Sequence, residues 1–218
     1  MKLALLLIYL VSILFSVLTA FIYRKHLASR KLLIMLPFLF LVFIQETVLG
    51  ILAMYSANAS NSIIYNIYRP VTVIVFAFIY YRLPFMQSVK RLIAVIVAFY
   101  LLLVLANHIF FESILDTSTY MILVRGFFIT LLGLLFLARY FHLDNLSEEK
   151  YWRPLLWITV GIAIFYPVTS ISISFQKYLS HGDYTVFGFK LYHVIPRVMS
   201  IFMYSCFSYA FFLCRKKS

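Results

Sequence analysis

The sequence predicts an all-α fold, a polytopic seven-helix transmembrane bundle with its N-terminus outside and its C-terminus in the cytoplasm. Three observations predict it. Of the 218 residues, 64% are hydrophobic and 12% charged, and the mean hydropathy is +0.98, whereas a soluble domain is roughly 45–50% apolar and 25% charged. Seven apolar stretches divide the chain, and the basic residues gather in alternate connections between them. A water-soluble globule of this size has too little interior for so much apolar surface, which lipid solvates directly. With 6 Gly, 6 Pro and 2 Cys, collagen-like, disordered and disulfide-stapled chains are excluded as well.

The stretches are Leu3–Tyr23, Leu32–Met54, Ile63–Leu83, Leu92–Phe111, Tyr120–Phe141, Leu155–Phe175 and Leu191–Cys214. Each is long enough to cross a bilayer, because about 20 residues at 1.5 Å per residue cover the ~30 Å hydrocarbon core. A helix also satisfies its own backbone groups there, which an open strand does not. The first stretch begins like a signal peptide with Lys2, but its apolar part is too long and it ends in Tyr23-Arg24-Lys25-His26 without a small-residue cleavage pattern. It is therefore a membrane span. Residues 1–218 form one domain, and the longest outer connection, about Gln176–Lys190, carries a turn at His181-Gly182-Asp183.

Orientation follows from the 19 basic residues. Arg24, Lys25, Arg30 and Lys31, then Arg82, Lys90 and Arg91, then Arg139, Lys150 and Arg153, and finally Arg215, Lys216 and Lys217 all fall on one side; the other side has only Lys2, Lys177 and Lys190. The positive-inside rule makes the first set cytoplasmic. It also accounts for the net charge of +12 without nucleic acid, for which no motif is present. The connections hold no kinase, cyclase or binding domain, so a signal is expected to leave through a membrane or cytoplasmic partner.

Three arginines remain inside the spans. Arg69, Arg125 and Arg197 each follow soon after their span enters from the outer face, at depths of ~8–10 Å, and Glu46, approached from the inside, lies ~12 Å below the outer end of the second span. All four reach one level of the outer leaflet. Gln45, Asn66 one turn before Arg69, Asn107, His108, His193 one turn before Arg197, and Tyr65, Tyr68, Tyr166 and Tyr192 lie near the same level. So do Pro70, Pro167 and Pro196, whose missing donors free backbone carbonyls; the stripe Thr169, Ser170, Ser172 and Ser174 is placed to re-satisfy such a gap.

Charges in hydrocarbon cost at least a few kcal/mol each and turn to the bundle interior, to water or to one another. One reading is a shared cavity in which Glu46 balances one arginine and the surplus positive charge takes an anionic group, a carboxylate or phosphate from a solute or a lipid headgroup. Its binding residues are Glu46, Asn66, Arg69, His108, Arg125, Tyr166, His193 and Arg197. A plainer reading pairs Glu46 with one arginine while the other two snorkel to the headgroups. A third is an ion or proton pathway through Glu46 and the histidines.

Other motifs carry less. Glu148-Glu149-Lys150-Tyr151-Trp152-Arg153 fits the E-E-x-x-x-R string of intramembrane prenyl-processing proteases and Phe189-x-x-x-His193 their second string, but the two belong to opposite faces of the membrane and share no metal. Ser147 and the acidic pair instead mark the start of a short interfacial helix. His108 and Glu112, four residues apart, are too few for a metal site. The seventh span has no lysine for a retinal Schiff base, Cys206 and Cys214 are read as packing residues, and no cofactor is expected.

The basic first loop, the second span from Pro37 to Glu46, the Asn66-Ile-Tyr-Arg-Pro70 opening of the third and the tryptophans Trp152 and Trp157 near the start of the sixth resemble an uncharacterised family of small seven-helix inner-membrane proteins of Bacteroidetes-type bacteria. The resemblance spans nearly the whole chain. It implies a seven-helix layout like the sensor regions attached to bacterial kinases, and no activity. A receptor-like binding module signalling through a partner is the leading functional expectation, because the inner halves of the first, fourth and seventh spans are almost free of ionisable residues; a solute or ion transporter is the alternative and an intramembrane enzyme the third.

Overall fold

A computed structural model describes residues 2–55, 62–111, 113, 119–143, 146–175, 185–186 and 189–215. The helices are α1 (Lys2–Ile22), α2 (Arg24–Ser29), α3 (Met35–Tyr55), α4 (Ser62–Tyr81), α5 (Lys90–Phe110), α6 (Thr119–Tyr140), α7 (Leu146–Ser174) and α8 (Leu191–Leu213). A 3-10 turn, Pro84–Val89, leads into α5. The strand pair β1 (Thr185–Val186) and β2 (Phe189–Lys190) is antiparallel, with Thr185 opposite Lys190. All but α2 are long and apolar enough to cross a membrane, which gives seven such helices among the described residues.

Their outward faces explain the hydropathy. Leu7, Val11, Phe40, Val95, Leu102 and Phe127 are among many large apolar side chains left exposed along the long helices. Contiguous apolar surface of this extent is foreign to a protein in water and matches a hydrocarbon environment.

Successive long helices run antiparallel, so one end of the bundle collects the connections around residues 23–34, 82–89 and 141–143. That is the basic-loop end; the opposite one is the chamber end, the chamber being the layer of inward polar side chains between the helices there. The closest helix approaches are α7 on α8 and α6 on α7, followed by α1 on α8. Small residues permit them. A Cβ on Gly126 of α6 would overlap the Ser170 hydroxyl of α7 and stand 3.2 Å from the Tyr166 carbonyl, and one on Gly161 would stand 3.1 Å from Cys206 Cβ of α8. Without a hydrophobic driving force between helices in lipid, such close backbone approach is a main source of attraction. Hydroxyls add specific ties: Ser170 donates to the Ile122 carbonyl at 3.1 Å, Ser16 of α1 donates to the Tyr204 carbonyl of α8 at 2.7 Å and meets Ser208 at 2.8 Å, and the hydroxyls of Tyr80 and Thr159 are 3.0 Å apart.

The basic-loop end is tightly built. Helix α2 ends in a Schellman arrangement: the Leu32 amide donates to the Leu27 carbonyl at 2.8 Å and the Lys31 amide to Ala28 at 3.1 Å, with Lys31 in the left-handed region at φ 60° and Leu27 packed with Leu32 in the core. Arg30 was expected as an ordinary loop cation. It is instead buried, donating from Nη1 to the Tyr151 carbonyl with its guanidinium 4.8 Å from the Tyr151 ring centroid. The Tyr151 hydroxyl returns a bond to the Ser29 carbonyl at 2.7 Å.

This clasp also revises the start of α7. In place of a short interfacial helix followed by a span, one helix of 29 residues runs from Leu146 through Pro154 and Pro167. Pro154 lies in the third turn and Trp152 packs into the core beside it, so burial of the first turns carries the helix past a residue that lacks only one donor.

Candidate functional site

Each long helix brings a polar residue to one level near the chamber end. Tyr9 (α1), Glu46 (α3), Arg69 (α4), Tyr100 (α5), Arg125 (α6), Tyr166 (α7) and Arg197 (α8) lie six to ten residues, about 9–15 Å, from the chamber ends of their helices. The local reason is the composition of these turns, where aromatic hydroxyls and the few charged residues replace the Leu, Ile and Phe that fill the interior elsewhere.

At one pole of the chamber is Glu46, half-buried. Its Oε1 accepts from the Tyr65 hydroxyl at 3.3 Å, and Tyr9 presents its hydroxyl to the same carboxylate. The direct ion pair between Glu46 and an arginine, expected from the sequence, is absent among the described residues: the nearest positive charges, Arg125 and Arg197, act on Glu46 through space. Tyrosine hydroxyls take the contact positions because Tyr9 and Tyr65 enter from α1 and α4, the helices flanking α3, while Arg125 is drawn onto another ring.

That ring is Tyr166. The Arg125 guanidinium lies 5.3 Å from its centroid, an arrangement attractive by cation–π interaction. Arg125 Nε is buried and has no hydrogen-bond partner, and the hydroxyl of Tyr100, a fully buried side chain, has none either. The charges of Arg125 and Arg69 both reach Tyr100. This second pole thus gathers donors from α4, α5 and α6. Arg69 donates from Nη1 to Asn66 Oδ1 at 2.7 Å, both side chains being buried, so the i, i+3 spacing does bring the two together.

The sequence-derived residues divide accordingly. Glu46, Arg125, Arg197 and Tyr166 share the chamber through contact or electrostatic reach, and Asn66 with Arg69 joins it beside Tyr100. His108 is half-buried near the end of α5; the side chains of His193 and Tyr192, and Glu112, lie outside the described residues. The stripe on α7 acts differently from its expected role. Thr169 bonds the Phe165 carbonyl at 2.7 Å and Ser174 that of Ser170 at 2.8 Å, while Ser170 bridges to α6. None of them takes the Ala163 carbonyl, which the proline ring at 167 leaves without its amide partner. Among the described residues no group of three metal-ligating side chains exists.

Sequence reasoning missed Tyr9, Tyr100 and Tyr204. Tyr204 is buried on α8, its ring centroid 6.4 Å from that of Tyr9, and it is coupled electrostatically to Tyr65, Tyr68, Tyr166 and Glu46. In a chain with 17 Tyr a tyrosine reads first as an interface or packing residue. The available signal was depth: all three lie well inside a span, where a hydroxyl needs a partner.

Below the chamber the interior turns apolar and aromatic. Phe76 meets Tyr166 edge-on at 6.4 Å; one turn further along α4, Tyr80 stacks on Phe136 at 5.2 Å. Phe85 continues to Phe136 and Trp152 at 5.7 and 5.8 Å, and Trp152 meets Tyr151 at 4.7 Å. Two runs of ring contacts, one from Arg125 through Tyr166 to Phe76 and one from Tyr80 to Tyr151 and Arg30, are thus connected through one turn of α4.

Compared with known proteins, the chain matches no family, no curated protein and no solved structure. The functional reading rests on the chamber.

Proposed function

We propose that this protein is a multi-pass inner-membrane protein, N-terminus outside, that acts as a receptor-like binding module: the chamber opens to the outer side, takes an anionic group, and passes a helix shift to a membrane or cytoplasmic partner. One observation carries the reading. Arg125, beside a tyrosine ring, keeps a buried Nε donor without a partner, and its charge acts on Tyr100, whose buried hydroxyl also has no partner. An unpaired buried donor costs about 1–3 kcal/mol, more when charged, and a carboxylate or phosphate oxygen supplies what both groups lack. Glu46, held by tyrosines at the other pole, leaves the arginine charge uncancelled at contact distance. The basic residues gathered at the opposite end support the orientation.

The aromatic packing supports a receptor over a transporter. A transport route would need polar groups through the basic-loop half, where Tyr80, Phe136, Phe85 and Trp152 pack ring to ring. Helix α4, which carries Phe76 of one run of rings and Tyr80 of the other, gives a physical link from the Arg125 ring contact to the first turns of α7, which is the connection a ligand-driven shift requires.

Titration of the purified protein in detergent with inorganic phosphate, glycerol 3-phosphate and acetate, read by thermal stability, tests the proposal. A saturable rise in Tm with at least one of them, lost in Arg125→Gln, is expected. No rise with any probe, or an unchanged rise in Arg125→Gln, contradicts it. Uptake into reconstituted vesicles that Glu46→Gln abolishes would move the protein to the transporter class, and a C-terminal reporter behaving as periplasmic would reverse the orientation.

A further inference from the structure

A second site lies far from the chamber, on the outer surface of the α1–α8 seam near the basic-loop end. There the two helices, clamped higher up by Ser16 and Ser208, leave a groove of about 420 Å³ lined by Phe15, Thr19, Tyr23, Ser205, Tyr209 and Phe212 among others. Its walls look more polar in sequence than they are in space. Thr19 donates to the carbonyls of Phe15 and Ser16, each at 3.0 Å, Ser205 to Ile201 at 2.8 Å and Ser208 to Tyr204 at 2.9 Å. The serine and threonine hydroxyls are thus satisfied by backbone carbonyls of their own helices, and apart from the phenol groups of Tyr23 and Tyr209 the surface offered to an occupant is methyl, methylene and ring. A small polar solute gains nothing in such a groove; a hydrocarbon chain does.

The mouth has the opposite character. Tyr23, at the end of the groove, is followed by Arg24 and Lys25, and Phe212 by Arg215, one turn on; all three cations are exposed. Arg24 lies over the Phe21 ring, 4.5 Å from its centroid, a ring outside the groove lining, so its guanidinium reaches a phosphate at the groove only by leaving that contact. Among the described residues no carboxylate pairs with Arg24, Lys25 or Arg215. An apolar groove that runs along two helices and ends between unpaired cations is complementary to one kind of amphiphile.

We propose that the α1–α8 groove is a binding site for an anionic phospholipid, its acyl chain along Phe15, Thr19 and Phe212 and its phosphate between Arg24 and Arg215. The site rests on the membrane reading but is independent of the chamber and its ligand. Basic side chains near a lipid surface contribute about 1 kcal/mol each, a roughly fivefold preference per arginine. A phosphate held between two of them is bound by charge-assisted hydrogen bonds that a zwitterionic headgroup, carrying its own cation, matches less well. Annular lipid covers every outward face; what sets this seam apart is the groove together with the two cations at its end.

Native mass spectrometry of the purified full-length protein, released from nanodiscs of mixed phosphatidylglycerol and phosphatidylcholine, tests it. The wild type is expected to retain phosphatidylglycerol in excess, and Arg24→Gln/Arg215→Gln to lose roughly 30-fold in that preference. Arg91→Gln/Arg139→Gln, which removes two cations from the same end but away from the groove, is expected to keep it. Ser205→Phe, which fills the groove and leaves the cations, is expected to lower retention of both lipids. Equal retention of the two lipids by the wild type, or equal losses in the two arginine pairs, would overturn the site in favour of a diffuse basic surface. A mass doubling that Ser205→Phe abolishes would overturn it in favour of a second copy of the chain. Extraction of the protein from cell membranes by alkaline carbonate would sink the membrane reading itself, which is a separate outcome.

Discussion

Two arginines lie over two tyrosine rings at opposite ends of this bundle, and their surroundings differ in one respect. Arg30, 4.8 Å from the Tyr151 centroid, also donates to the Tyr151 carbonyl, and Tyr151 bonds back to Ser29. Arg125, 5.3 Å from the Tyr166 centroid, has the ring but a buried Nε with no acceptor. The same pair of residue types closes a structural clasp in one place and leaves bonding capacity in the other. A buried cation satisfied by its own chain adds stability, whereas one short of an acceptor stores a cost that a ligand relieves.

The largest expected effect separates these two roles. Arg30→Ala removes a charge-assisted hydrogen bond and a cation–π contact together, so a loss of about 2–4 kcal/mol is expected. Arg125→Ala loses a ring contact but also removes an unpartnered donor, so its cost should stay within about 1 kcal/mol. Chemical unfolding of both variants in the same detergent checks the contrast, and equal losses would erase it.

A smaller effect tests whether the chamber depends on the close packing of α6 and α7. Gly126→Ala drives a methyl group into Ser170 and toward the Tyr166 carbonyl, with an expected cost of about 1–3 kcal/mol. Removing the obstructing hydroxymethyl in Gly126→Ala/Ser170→Gly should recover part of it. A double variant no better than the single would show that the Tyr166 backbone is the limiting contact.

The smallest expected effect lies at the basic-loop end. Lys31 holds a left-handed backbone at φ 60°, which costs a side-chain-bearing residue about 1 kcal/mol or more that glycine avoids. Lys31→Gly should therefore raise Tm slightly or leave it unchanged, and a fall would mean that the Lys31 side chain contributes more than its backbone costs.

How much of this was legible in the sequence depends on how local the signal is. Apolar runs long enough to cross a bilayer are local, and the structure has a long apolar helix for each. The i, i+3 spacing of Asn66 and Arg69 is local too, and the two are bonded. Charged residues inside apolar spans stand out individually, which is how Glu46, Arg125 and Arg197 were found. Their pairings were not legible. Tyr166 was named only as one residue at the same level, and nothing near position 125 points to its ring or to Tyr100, nor does anything near 46 point to Tyr9 on another helix. For the same reason Arg30 looked like its neighbours Arg24 and Lys25, although its burial is decided by Tyr151, 121 residues away. The start marked by Ser147 and the acidic pair is real, but the short interfacial helix expected there continues through Pro154 into the span, carried by the packing of its first turns.

The central claim is that Arg125 and Tyr100 form an anion-binding pole across the chamber from Glu46. An experimental structure of the purified protein in a nanodisc, at a resolution that shows ordered ions and lipids, tests it most directly. The account predicts density for an anionic group within hydrogen-bonding distance of both Arg125 Nε and the Tyr100 hydroxyl, with Glu46 held by Tyr65 and Tyr9. An Arg125 side chain extended to the headgroups, or one paired directly with Glu46 and leaving Tyr100 to water, would contradict it.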